Sequence, residues 1–80
     1  MKELIEFIAK SIASQPEMVV VTEEEEEDQI RLILEVADED KGKVIGREGR
    51  VAQSMRTLLR VVAVKQGYRV TLEILSLIHI

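Results

Sequence analysis

An 80-residue chain that is 46% hydrophobic makes one small domain, and at this size only about 60% of the unfolded chain's surface is buried, which leaves little room for a deep catalytic pocket beside a core. The absence of cysteine excludes a disulfide scaffold and thiolate metal sites, and one Phe, one Tyr and no Trp leave the core to Ile, Leu, Val, Ala and Met. The net charge of −4 is unevenly divided: residues 1–40 hold three Lys/Arg against thirteen Asp/Glu, whereas residues 41–69 hold eight Lys/Arg and a single acid, Glu48, a segregation that suits a polyanion-facing surface.

Residues 2–14 predict an amphipathic helix, with Leu4, Ile5, Ile8, Ala9 and Ile12 on one stripe. Ser14-Gln15-Pro16 ends it, because proline disfavours a helical residue before it. Phe7 falls beside the stripe, as a peripheral packing residue or as a contact for a partner chain. Met18–Thr22 is β-branched and reads as a strand. Gln29–Val36 reads as a second, with Ile30, Leu32, Leu34 and Val36 on one face. The expected hairpin carries the acidic run Glu23–Asp28 at its tip. Five adjacent glutamates there diverge and enclose no ion, so the run reads as a solvated loop, or as a surface that repels a polyanion from the wrong face or meets a basic partner.

Asp38 fits a helix N-cap, with Glu39 and Asp40 in a first turn that favours acid. Gly42 and Gly46 keep this helix short, and Gly46-Arg47-Glu48-Gly49 reads as a turn. A long helix follows from near Arg50 to about Gln66, its stripe made of Val51, Met55, Leu58, Leu59 and Val62, and Gly67 stops it. Arg69–Ile74 is a third strand, with Val70, Leu72 and Ile74 on one face. The apolar tail, residues 75–80, lengthens that strand or stays disordered, and no function is assigned to it. The order is α-β-β-α-α-β. A helical crossover makes the last two strands parallel, so the expected class is α+β, a three-stranded mixed sheet with helices on one face.

The chemistry concentrates in Val44-Ile45-Gly46-Arg47-Glu48-Gly49-Arg50. Two glycines let the backbone bend and remove side chains that would hold a phosphodiester away. The turn leads into a helix N-terminus, whose free N–H groups and dipole favour a phosphate, and Arg47 and Arg50 add charge beside it. Val44 and Ile45 offer apolar surface to bases. Lys41, Lys43, Arg56, Arg60, Lys65 and Arg69 extend the positive surface, though Arg56 and Arg60 fit a solvated helix face equally well. No enzyme constellation is present: His79 is the only histidine and lies in the tail.

These residues, from Asp40 through Gly46-Arg47-Glu48-Gly49-Arg50 to Arg56-Thr57-Leu58, resemble a KH domain of the type II arrangement, and in particular the stand-alone bacterial KH proteins of the KhpA family. The resemblance covers residues 1–74. It implies a clamp of Gly46, Arg47, Glu48 and Gly49 on about four nucleotides of single-stranded RNA, with Val44 and Ile45 opening the groove for bases and Arg50 at the helix entry. It further implies a cytoplasmic RNA chaperone that forms a homodimer, pairs with a larger KH-containing, KhpB-like protein and influences cell length and cell-wall homeostasis, without cofactor or membrane anchor. Glu48 places a carboxylate inside the clamp, which weakens phosphate contact unless the side chain turns to solvent or pairs with an arginine. The alternative is a protein-interaction module whose KH fold mainly dimerises or docks a larger partner, favoured by Glu48, the net negative charge and apolar Val61 and Val64 outside the stripe.

Overall fold

The computed structural model describes residues 2–77; residues 78–80, and with them His79, lie outside the described residues. Helix α1 spans Lys2–Ile12, β1 Val20–Glu26, β2 Gln29–Ala37, α2 Lys41–Ile45, α3 Arg50–Gln66 and β3 Arg69–Leu77. The sheet order is β1-β2-β3. β1 runs antiparallel to β2, and β3 parallel to β2 with Ile30 opposite Val70, Leu32 opposite Leu72 and Leu34 opposite Ile74. The α+β class and the mixed sheet are those the sequence predicts.

One face of β2 is apolar at every second residue, and this face makes the core. Ile30, Leu32, Leu34 and Val36 are buried against Ile5, Ala9, Val44, Met55 and Leu59 from the helices. α1 packs over β1, and α3 over β3. Leu59 faces the core, whereas its neighbour Leu58 is half exposed, so the inward face of α3 is Ala52, Met55, Leu59 and Ala63, rotated from the stripe drawn through Leu58. The bulky residues of the sequence had marked the stripe; two alanines carry half of it. Phe7 is 72% exposed and is not a packing residue.

Local chemistry explains the boundaries. Pro16 starts a single 3-10 turn, Pro16–Met18, so β1 begins two residues later than the β-branched run suggests. β1 then continues through Glu23–Glu26, and the acidic run is therefore mostly strand. Only Glu27 and Asp28 form the hairpin turn, with Glu27 at φ 43°. Val21 enters the core under α1, whereas Glu23–Glu26 are exposed, as charged side chains on an edge strand commonly are, and Arg31 lies across from Glu24 at 3.9 Å. At the far end, α3 closes in a Schellman motif: Gly67 at φ 78° lets its N–H reach Val64 O and the Tyr68 N–H reach Ala63 O.

Candidate nucleic-acid interface

The loop between α2 and α3 has a backbone that only its sequence permits. Gly46 adopts φ 80°, ψ 172°, a region that is essentially restricted to glycine. It also lies against the first turn of α3: a Cβ there would fall 2.5 Å from Val51 Cγ2 and 2.9 Å from the Val51 backbone nitrogen. Glu48 (φ 58°, ψ 25°) and Gly49 (φ 72°, ψ 16°) are both left-handed, and the Gly49 N–H closes the turn on Gly46 O at 3.1 Å. α3 begins with no side-chain cap, and the Arg50 N–H closes on Arg47 O within the turn, so a phosphate at this helix N-terminus would have to meet the N–H groups that follow it.

Arg47, Glu48 and Arg50 are exposed around this turn. Arg47 has no ionic partner among the described residues. Arg50 Nη2 approaches Glu48 Oε2 at 3.6 Å, so the loop's acid pairs with one of its own bases. Ile45 is half-buried, but Val44 is fully buried in the core, where its side chain anchors α2 and offers nothing to a ligand. Periodicity in a five-residue helix is too short to have separated the two.

Asp40 corrects the reading of the turn before α2. Residues Asp38–Asp40 form a 3-10 turn, and neither Asp38 nor Asp40 caps α2 with its side chain. The Asp40 carboxylate is instead fully buried, accepting the Ser14 and Gln15 N–H groups at 2.9 Å each. These two hydrogen bonds, helped by the nearby Lys43 ammonium, hold its carboxyl below the ordinary aspartate range against the opposing effect of burial. Lys43 Nζ donates to Ser14 Oγ and lies 3.9 Å from Asp40 Oδ1, so Lys43 turns back to this clasp while Lys41 stays half-buried. The clasp ties the end of α1 to the start of α2, and thereby fixes the segment that carries the loop.

Beyond the loop, a shallow groove of about 250 Å³ runs between α3 and the edge strand β3, lined by Arg56, Leu59, Arg60, Val70, Thr71 and Leu72. Arg56 Nη2 donates to the Leu72 carbonyl at 3.3 Å, meeting a backbone group at the free edge of β3. The i, i+4 spacing of Arg56 and Arg60 places both on one flank of α3, but that this flank meets an open strand edge follows from strand order, which the sequence does not reveal. Arg69 lines a separate hollow on the uncovered sheet face with Glu24, Glu26 and Arg31, and Lys65 is exposed near the C-terminal end of α3. The structure thus sets Arg56 and Arg60 on the groove between α3 and β3, and Arg47 and Arg50 on the exposed turn at the start of α3, while Val44 is buried, Lys43 turns to the clasp and Arg69 lines the separate hollow.

Comparison with known proteins bears on this arrangement. The family model for the KH domain of KhpA/KhpB matches residues 2–74. The RNA-binding protein KhpA of Clostridium perfringens is 48% identical over 75 residues, covering 94% of this chain and 100% of that protein. The RNA-binding protein KhpA of Aquifex aeolicus is 41% identical over 76 residues, covering 95% of this chain and 96% of the relative. In fold, the chain is similar to part of Era, in a crystal structure with MgGDPNP and nucleotides 1506–1542 of 16S ribosomal RNA. The TM-score is 0.59 at 20% identity, over 94% of this chain and 29% of that one. A KH fold with a GxxG turn between its second and third helices, matched along residues 2–74, places this chain in the KhpA/KhpB KH-domain family.

Proposed function

We propose that this protein binds single-stranded RNA, with Gly46-Arg47-Glu48-Gly49 on the phosphodiester backbone and the groove between α3 and β3 receiving bases. The observation that carries the reading is the loop itself: a glycine-only backbone conformation at Gly46 that brings the turn onto the uncapped N-terminus of α3, with Arg47 exposed beside it. Backbone N–H groups, Arg47 and Arg50 meet phosphate; Ile45 and the Arg56–Arg60 flank continue the surface; Lys41 and Lys43 contribute long-range charge. With one Phe and one Tyr in the chain, base stacking is sparse, so affinity is modest and sequence preference broad. The activity is binding without catalysis or cofactor.

Family membership supports the wider setting: residues 1–74 work as one KH domain of a cytoplasmic RNA chaperone that forms a homodimer, pairs with a KhpB-like protein and acts in cell-length and cell-wall homeostasis. A second reading, a docking module, has its own observation. Phe7 is 72% and Val64 71% exposed, with Val61 and Leu58 about half exposed on the same helix as Val64.

One experiment separates the two. The wild type and the Arg47→Asp, Glu48→Asp double variant are titrated with a fluorescent single-stranded RNA at low and near-physiological salt, and the molecular mass of each is measured in parallel. RNA binding predicts salt-sensitive affinity, with a slope of about −0.7 per phosphate contact, that disappears in a variant of unchanged circular dichroism and unchanged mass. Equal RNA retention by the folded variant refutes the clamp, and a wild type that self-associates without binding RNA supports the docking module.

A further inference from the structure

The loop proposed to hold phosphate already contains an anion. Glu48 occupies a left-handed position, φ 58° and ψ 25°, that glycine or asparagine would satisfy with less strain. What glutamate adds there is its carboxylate, 3.6 Å from Arg50 Nη2 at the entry of α3. The remaining acids of the chain lie elsewhere: the segment from Lys41 to Arg69 has no other Asp or Glu. Both side chains of the pair are about three-quarters exposed, 78% for Arg50 and 74% for Glu48. An ion pair so solvated is worth a factor of about two to five in an equilibrium constant, enough to bias Arg50 and too little to lock it.

We infer that Glu48 is a resident counter-ion of the loop, which occupies Arg50 in the free protein and must be displaced before that arginine can engage a phosphate. The inference rests on the RNA reading above and adds to it a cause for low affinity. It also has a signature in salt. While Glu48 holds Arg50, the phosphate that this arginine would neutralise keeps its condensed cation. Removing the carboxylate lets Arg50 release it, which adds up to one phosphate's share, about 0.7, to the slope of log K against log salt.

The test uses the full chain as wild type, Glu48→Gln, Arg50→Gln and the double variant, each titrated with a fluorescein-labelled single-stranded RNA of mixed sequence across a salt series, with circular dichroism to confirm folding. Glu48→Gln is expected to bind about two- to fivefold more tightly at low salt, with a steeper salt slope, and the gain is expected to vanish when Arg50 is already Gln. A wild type that binds while Glu48→Gln binds equally or more weakly overturns the counter-ion and leaves the clamp standing. So does a gain of the same size with and without Arg50, which assigns the effect to net charge alone. Absence of binding in all four forms overturns the RNA reading, and the counter-ion falls with it.

Discussion

The two loop glycines have different structural burdens, and replacing each with alanine measures the difference. At Gly49 the backbone is ordinary left-handed (φ 72°, ψ 16°), and a Cβ would meet nothing within 4 Å. Gly49→Ala therefore carries only the left-handed penalty, about 1–2 kcal/mol, reduced by the lower entropy of the unfolded alanine chain, about 0.4–1 kcal/mol. At Gly46 the conformation is one that other residues hardly enter, which costs about 1–3 kcal/mol. The new Cβ also falls 2.5 Å from Val51 Cγ2, 2.9 Å from Val51 Cβ and 2.9 Å from its nitrogen. Val51 can rotate its methyls away, but its backbone nitrogen belongs to α3 and cannot move without the helix. Overpacking adds about 1–3 kcal/mol. Urea denaturation followed by circular dichroism should rank Gly46→Ala below Gly49→Ala by about 1–4 kcal/mol, or roughly 4–8 °C in Tm for each kcal/mol. Combining Gly46→Ala with Val51→Ala should recover part of the loss, since only the side-chain clash is relieved. Equal stability of the two alanine variants would refute the claim that Gly46 is required by contact with α3.

Two further outcomes test the parts that hold the loop in place. The Asp40 carboxyl is held below its ordinary value of 3.8 by the Ser14 and Gln15 N–H groups. Its contribution to stability is therefore complete above the unfolded-chain value and is lost as pH falls through the lower folded value. Asp40→Asn should be less stable than the wild type at neutral pH, with the gap closing below pH 3.8 in urea titrations at stepped pH; a gap that does not change with pH would place the stabilisation outside the charge. Leu59→Ala should cost about 2–5 kcal/mol for a fully buried leucine, and the adjacent Leu58→Ala clearly less; comparable losses would show that the inward face of α3 has been misassigned.

Element type was legible wherever a period ran long enough. β2 alternates over four apolar residues, and α3 runs unbroken from the glycine loop to Gly67, so both emerge from pattern alone. The start of the edge strand β1 was legible in its β-branched residues, but its acidic half was not. Glu23–Glu26 lack the apolar alternation that marks a strand, and only pairing with β2 makes them one, a tertiary effect absent from the local sequence. The loop was legible because glycine at fixed spacing carries its own backbone consequence. The clasp was not: Asp40 and Ser14 are 26 positions apart, and an acid at the start of a short helix reads as a first-turn partner of the helix dipole until the fold brings the end of α1 to it. The same holds for the groove, since Arg56 and Arg60 gain a setting only when β3 is known to be an edge.

The negative net charge is compatible with a polyanion site because the fold separates what the composition averages. The acidic strand β1 and the strand β3, against which α3 packs, lie on opposite sides of β2. With strands spaced about 4.8 Å, β1 and β3 are about 10 Å apart across the sheet, close to the Debye length of ~10 Å at 0.1 M salt. The field of Glu23–Glu26 is therefore strongly attenuated at the groove under physiological conditions. Arg31 reduces it further, lying 2.7 Å from Glu73 and 3.9 Å from Glu24. Lower salt extends the range of both charge sets, so a polyanion is drawn to one edge while being repelled from the other. The acids then act on orientation more than on affinity, and the one carboxylate placed to weaken binding directly is Glu48, inside the loop.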